Sequence, residues 1–141
     1  MTTTLEYGHA LPELHKVITQ EQINRYAEAS GDFNPIHLDT QFAEASSFGR
    51  IVAHGMLVLA FLSDMMTVAF GPAWLRTGQL KVRFRAPAYP SDEVTTFGQV
   101  MKLADTEKGR KAICSVGCRN QKGEDLITGE ASVYTEIQKE E

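Results

Sequence analysis

A carboxylate and an imidazole lie close together in the run SGDFNPIH, where Asp32 and His37 are five residues apart. Such a pair can exchange protons with one bound water, which is general acid–base chemistry. On a helix this spacing puts the two side chains about 140° apart, and on a strand it puts them on opposite faces. We therefore predict a bent loop, because Gly31 lets the chain leave a helix and Pro35 holds Asn34 extended. The same residues would also suit a plain helix end and an Asx turn, with His37 on the surface.

A second feature is the glycine in the run IVAHGML, where Gly55 opens an apolar segment. The first turn of a helix has free N–H groups and the positive end of the helix dipole. Such an end suits a carbonyl oxygen that gains negative charge during a reaction. Gly55 could equally serve only to let helices pack closely. His54, just before it, could be catalytic, but a histidine at a helix entry is more often structural, and we interpret it so.

The segment Gly55–Phe70 is apolar nearly all round and predicts a buried helix. It is shorter than the roughly 20 residues that a membrane span requires, and it contains Asp64, so we expect no membrane insertion. A helix that is apolar on every face needs other elements around it. In a short chain this requirement predicts a sheet that wraps the helix.

Period-two patterns after this helix supply that sheet. We predict strands over residues 80–85, 93–103, 111–119 and 126–135, with turns at 105–109 and 120–124 and a short early strand over 14–18. Thr19 is a predicted N-cap that forms a capping box with Gln22, and the helix that it begins ends at Ser30 and Gly31. The order predicts an α+β fold in which an antiparallel sheet curls around one central helix.

Composition fits one soluble globular domain over residues 1–141, with 43% hydrophobic and 23% charged residues. The net charge of −4 is unlike the basic surface of a nucleic-acid-binding module, so we expect no nucleic-acid partner. Cys114 and Cys118 would be too far apart on one strand for a disulfide, and two thiols do not make a zinc site. Free thiols and an N-terminus without an apolar signal region favour a cytoplasmic location.

The segment 26–43, with its SGDFNPIH core, and the later AHGM resemble the MaoC-like dehydratases, the (R)-specific enoyl-CoA hydratases of the hydratase-2 type. The resemblance runs from about residue 19 to residue 63. It implies the hotdog fold and a homodimer. It also implies that Asp32 and His37 are catalytic, that Asn34 supports them, that the Gly55 N–H binds the thioester carbonyl, and that Ser63 lines the pocket.

The implied reaction is hydration of a trans-2-enoyl-CoA to an (R)-3-hydroxyacyl-CoA, and its reverse, with no metal and no cofactor beyond the coenzyme A thioester substrate. The acyl chain would pass Ser63 and Met66, because a methionine can move to admit a tail. Arg83, with Lys81 and Arg85, would meet the phosphates of coenzyme A or the acidic surface of an acyl carrier protein. A solvated strand face explains these cations equally well.

Three other functions remain open at this point. The chain could be a (3R)-hydroxyacyl-ACP dehydratase, or a subunit of one, in fatty-acid synthesis. It could be a hotdog thioesterase, or a non-catalytic protein that binds acyl thioesters. Asp32, Asn34 and His37 together argue against the last of these, since a non-catalytic subunit needs none of their chemistry. A heterodimer with a second hotdog chain is the alternative to the homodimer.

Overall fold

The computed structural model describes residues 5–137. Ten elements follow one another along the chain in the predicted order, with most of the helices before most of the strands. They are β1 (His15–Val17), α1 (Gln20–Ser30), α2 (Pro35–Leu38), α3 (Thr40–Glu44), α4 (Gly55–Phe70), α5 (Pro72–Thr77), β2 (Gln79–Phe84), β3 (Glu93–Thr106), β4 (Gly109–Arg119) and β5 (Asp125–Ile137). The strands form one antiparallel sheet in the order β1-β3-β4-β5-β2. Residues 138–141, for which the sequence predicts a frayed tail, lie outside the described residues.

The strand predictions are confirmed in number and place, but the hairpin between β3 and β4 is tighter than predicted. Its ladder runs to the pair Thr106 and Gly109, which leaves only two residues in the turn. Longer pairing satisfies more backbone groups, so the predicted turn at 105–109 was too wide. Helices α2, α3 and α5 were not predicted, because segments of four to six residues are too short for a helical period to show.

Helix α1 begins as predicted, since the Thr19 hydroxyl accepts a hydrogen bond from the Gln22 N–H at 3.1 Å. The predicted capping box is nevertheless wrong. Its second half requires Gln22 Oε1 to accept from the Thr19 N–H, yet this oxygen is buried and has no hydrogen-bond partner among the described residues. The cap is therefore a single hydrogen bond.

Helix α4 buries one face against the curled sheet. Its buried side chains are Leu57, Val58, Phe61, Leu62, Met65 and Met66. On the other face, Met56 and Val68 are 56% and 64% exposed, and Asp64 pairs with Lys16 of β1 at 3.1 Å. The prediction that this helix is covered on every side is therefore wrong for the single chain, because a five-stranded sheet reaches only part of the way round. Among residues 5–137, no helix is both long and apolar enough to cross a membrane.

The inner face of β4 carries the two cysteines, and both side chains are free and buried. Cys114 alternates with the less buried Ile113 and Ser115, as the period-two pattern predicted, whereas at Cys118 the alternation is broken by the buried Gly117. Desolvation by burial raises the pKa of Cys114 from 9.0 to about 11. Burial likewise raises the pKa of Cys118 to about 12, although a backbone hydrogen bond at Ile127 partly opposes the shift. Both thiols therefore stay protonated in the folded protein at ordinary pH.

We expect neither thiol of the native protein to react with an aromatic disulfide reagent at about pH 8, because the thiolate is the nucleophile. Two thiols should react after denaturation, and one in the Cys114→Ser variant. Because the pKa of each thiol is higher in the folded than in the unfolded protein, burial of the protonated thiols stabilises the fold in full below pH 9.0. This stabilisation is lost as the pH rises toward 11 and 12. Rapid labelling of both thiols in the native protein would contradict this burial.

Candidate active site

The loop after α1 holds Asp32 by local hydrogen bonds. Gly31 ends the helix in the left-handed region, with φ of 78°, and its N–H donates to the Ala27 carbonyl at 2.9 Å. The Asp32 N–H then donates to the Ser30 hydroxyl, and Asp32 Oδ1 accepts from the Asn34 N–H, each at 3.2 Å. The predicted glycine exit and Asx turn are both present, and together they leave Asp32 Oδ2 for other partners.

His37 lies on the one-turn helix α2 rather than in the loop, which corrects the sequence prediction. Asn34 caps this helix, since its Oδ1 accepts from the Ile36 N–H at 3.0 Å, and Pro35 occupies the first helical position. Gln20 Nε2 donates to the His37 carbonyl at 3.0 Å and ties α2 to α1. The bend comes from residues 31–34, and the short helix then turns the imidazole back toward Asp32. The Asn34 side chain thus positions this turn by its hydrogen bond to the backbone of Ile36.

The two predicted catalytic side chains face each other. His37 Nε2 lies 3.9 Å from Asp32 Oδ2, and the His37 side chain is only 12% exposed whereas that of Asp32 is 52% exposed. His37 Nδ1 lies 2.7 Å from the Val52 carbonyl oxygen. Because a carbonyl can only accept, we assign the ring proton to Nδ1, which leaves a lone pair on Nε2 directed at the carboxylate.

A third side chain, which sequence reasoning had set aside as structural, joins this pair. His54 is 2% exposed, and its ring stacks on that of His37 with centroids 3.9 Å apart and an interplanar angle of 26°. Its Nε2 lies 3.0 Å from the Asp32 carbonyl oxygen. The ring of Tyr26 lies on the same histidine at 4.7 Å, tilted by 60°. The position of His54 directly before Gly55 was the only sequence signal that pointed to it.

Asp32, His37 and His54 offer ligand atoms within 4.8 Å of one another, which is close enough to consider a metal site. The arrangement suits hydrogen bonding better than chelation. The imidazole rings are stacked at 26°, so their in-plane lone pairs run side by side instead of converging on one point. One nitrogen of each ring is also bound to a backbone carbonyl.

Gly55 is the first residue of α4, and none of the hydrogen bonds among the described residues uses its N–H. The positive end of the dipole of this 16-residue helix lies at Gly55, because Gly55 is its N-terminus. A Cβ on Gly55 would lie 3.1 Å from Cε1 of Phe84, the last residue of β2. The close contact at Gly55 is therefore with the edge strand β2 and not, as the close-packing alternative had it, with another helix.

A cavity of about 350 Å³ begins at this helix end. Its lining is mostly apolar and comes from the segment before α4, the start of α4, the end of β2 and the residues that follow it. The lining residues are Phe48, Val52, Ala53, Gly55, Val58, Phe84, Arg85, Ala86, Pro87, Ala88 and Ile127. Val52 joins the cavity to the histidine, because its carbonyl holds His37 Nδ1.

Three other predicted residues do not line this cavity. Ser63 is half-buried, and its hydroxyl accepts a hydrogen bond from Trp74 Nε1 at 3.0 Å. Met66 is fully buried in the core, further along α4. Arg83 is exposed and lines a separate surface groove along β2 and β5, whereas Arg85 lines both that groove and the cavity. Of the three predicted cations, only Arg85, which directly follows β2, lines the cavity, and its Nε donates to the Thr128 hydroxyl at 2.9 Å.

Comparison with known proteins shows the family to which this chain belongs. Residues 7–120 match the family model described as MaoC like domain. The chain is 33% identical over 133 residues to the (R)-specific enoyl-CoA hydratase of Aeromonas caviae, which covers 92% of this chain and 95% of that protein. It is also 33% identical over 131 residues to the mitochondrial 3-hydroxyacyl-[acyl-carrier-protein] dehydratase of Arabidopsis thaliana, covering 92% and 77%.

Similarity of structure agrees with similarity of sequence. The solved structure of the (R)-hydratase from A. caviae, involved in PHA biosynthesis, superposes with a TM-score of 0.83 at 29% identity, over 96% of this chain and 100% of that one. The sheet curled around α4 is therefore the hotdog fold, as the resemblance implied. With the family model matched over most of its length, the chain belongs to the MaoC-like domain family.

Proposed function

We propose that this protein adds water to the double bond of a trans-2-enoyl thioester to form an (R)-3-hydroxyacyl thioester, and catalyses the reverse dehydration. The observation that carries the proposal is the pair of unoccupied acceptors, Asp32 Oδ2 and His37 Nε2, 3.9 Å apart. A water oxygen can lie at about 2.8 Å from both atoms at once. The relatives named above, a hydratase and a dehydratase, support a hydro-lyase.

The reaction follows from where the protons and charge must go. As the water oxygen bonds to C3, the water gives one proton to the Asp32–His37 pair, and the electrons of the double bond move toward the thioester oxygen. The Gly55 N–H and the α4 dipole stabilise the negative charge on that oxygen. The pair then supplies the proton that C2 takes up. The net result is addition of H and OH across the double bond, with both catalytic groups restored.

The acyl tail occupies the 350 Å³ cavity, whose wall of Val58, Phe84 and Ile127 is apolar. Under this proposal a longer tail continues along α4 toward Ser63 and Met66. Met66 is sealed in the core, so its flexible side chain has to move before a tail can reach it. Arg85 at the cavity, with Arg83 further along β2, meets the phosphates of coenzyme A or the acidic surface of an acyl carrier protein.

No cofactor and no metal enters this mechanism, because the carboxylate, the imidazole and a backbone N–H supply every step. The compartment belongs to the proposal as well. Two buried, unpaired cysteines favour a reducing compartment, for which we propose the cytoplasm. The Arabidopsis relative is named as mitochondrial, so cell fractionation with a tagged chain is the direct test.

The decisive assay offers crotonyl-CoA beside a longer enoyl-CoA and an enoyl-carrier-protein thioester. We expect loss of the enoyl absorbance without release of free thiol, and chiral analysis should give the (R)-3-hydroxyacyl product. Relative rates on the two carriers then decide between a CoA hydratase and a carrier-protein dehydratase. Release of thiol would instead make the chain a thioesterase, and an (S) product would contradict the proposed site.

The catalytic pair makes a second prediction. Asp32→Asn keeps the shape but removes a proton acceptor, and His37→Ala removes the other, so each should lower kcat by about 10²–10⁴-fold. The double variant should be little slower than the slower single one, because the two groups act on one water. Asp105→Asn is the matched control, since that carboxylate is 93% exposed on the distant β3–β4 hairpin. Near-wild-type turnover in either single variant would rule out this mechanism.

We also propose a homodimer joined at β2. This strand is an edge of the sheet, and Met56 and Phe84, next to Gly55 and the cavity, are 56% and 55% exposed. A second copy would cover both the free edge and these apolar side chains. Light scattering at micromolar concentration should give about twice the chain mass of 15.6 kDa. A monomer under these conditions would contradict the homodimer and direct the search to a second hotdog chain.

A further inference from the structure

His54 is a buried histidine whose side chain contacts both members of the catalytic pair, as well as the ring of Tyr26. One nitrogen lies 3.0 Å from the backbone oxygen of Asp32, and the ring face lies 3.9 Å from the ring of His37. The only other polar residues buried to this degree among residues 5–137 are Asp92 and Thr96. Both of these have hydrogen-bond partners within the sheet and its turns.

The hydrogen bonds of His54 define its tautomer and leave one nitrogen unpaired. Since the Asp32 carbonyl can only accept, the proton lies on Nε2. Nδ1 is then a buried acceptor, and it has no partner among the described residues. A buried acceptor without a donor destabilises the fold, so an apolar side chain of similar size would fill this place at lower cost. A histidine at this position is therefore explained by its hydrogen bond to the Asp32 carbonyl and by its stacking on the His37 ring.

The donor ties the loop that carries Asp32 to the residue just before α4. Asp32 is exposed, and its other hydrogen bonds stay within the loop itself, to Ser30 and Asn34. The bond from His54 is therefore the link between this loop and the start of α4. Without this bond, the turn that carries Asp32 could move as a unit, which would take the carboxylate away from the start of α4 and from His37.

The ring limits a second motion. A single hydrogen bond from His37 Nδ1 to the Val52 carbonyl leaves the imidazole free to swing about that bond. The ring of His54, whose centroid lies 3.9 Å from that of His37, blocks this rotation on one side. The ring of Tyr26 in turn packs on His54, with centroids 4.7 Å apart. The direction of the His37 Nε2 lone pair is thereby set.

We propose that His54 is a positioning residue that sets the gap between Asp32 and His37, by its hydrogen bond to one and its stacking on the other. The proposal rests on the proposed function, in which that gap holds the reacting water. His54 does not touch the water itself. It acts through the pair, and its loss should lower turnover without weakening substrate binding.

Three variants separate the two contacts. His54→Gln keeps a donor at the place of Nε2 but loses the ring, His54→Phe keeps the ring but loses the donor, and His54→Leu loses both. Since misplacement of about 1 Å can cost roughly 10²-fold, we expect kcat for crotonyl-CoA to fall about 10²-fold in the Leu variant and about 10-fold in the others, with KM nearly unchanged. His15→Gln and His15→Phe are matched controls at an exposed histidine on β1.

Combination with Asp32→Asn distinguishes positioning from a general effect on the fold. If His54 acts through the pair, His54→Leu should lower kcat hardly further once Asp32 is changed, because groups that act as a unit are non-additive. Undiminished kcat in His54→Leu, or a full further loss in the Asp32→Asn background, would overturn the inference. If His54→Leu does not fold, the same comparison is made with His54→Phe and His54→Gln, each of which loses one of the two contacts.

Failure of the proposed function gives a different result. If Asp32→Asn and His37→Ala retain wild-type kcat, the pair is not catalytic and the role of His54 falls with it. If those two variants are inactive while all three His54 variants are fully active, only the present inference is wrong.

Discussion

Burial of one face of α4 is the constraint on which the rest of the structure depends. Each large apolar side chain removed from water contributes about 1.5–3 kcal/mol, and six of them lie on that face. They can be buried only if the sheet curls around the helix. Once the sheet has curled, the start of the helix must lie at the end of β2, where Gly55 meets Phe84. The cavity is what remains between these two elements.

The same constraint brings the polar residues together. The segment before α4 runs beside α2, so that the Val52 N–H donates to the Ile36 carbonyl at 3.3 Å and the Val52 carbonyl accepts from His37. Backbone oxygens, rather than other charged side chains, hold the two imidazoles in place. A backbone carbonyl cannot change rotamer, so each of these acceptors holds its imidazole in one tautomer as long as the fold is intact. Asp32 Oδ2 and His37 Nε2, to which the proposed mechanism assigns the proton transfers, have no such backbone partner.

The active site also combines an exposed and a buried half. Asp32 lies on a surface turn, whereas His37 is mostly covered and His54 is fully covered. Substrate can therefore approach from the side of the carboxylate while the imidazoles remain packed. Phe84, which is exposed, lines the cavity and is also the last residue of β2, an edge strand of the sheet. A partner at this edge would complete the wall of the site.

Much of this arrangement was determined by the sequence alone, because its signals are local. The period-two strands, the apolar helix Gly55–Phe70 and the glycine exit at Gly31 depend on neighbouring residues, and all three are confirmed. The types and spacing of Asp32, Asn34 and His37 indicated the chemistry. Only the tertiary structure decided that His37 lies on a one-turn helix, that His54 stacks on it, and that Arg85 rather than Arg83 reaches the cavity. The first depends on a single turn capped by Asn34, which is too short for a helical period to show. The other two depend on contacts between segments far apart in the chain, on which the pattern of nearby residues has no bearing.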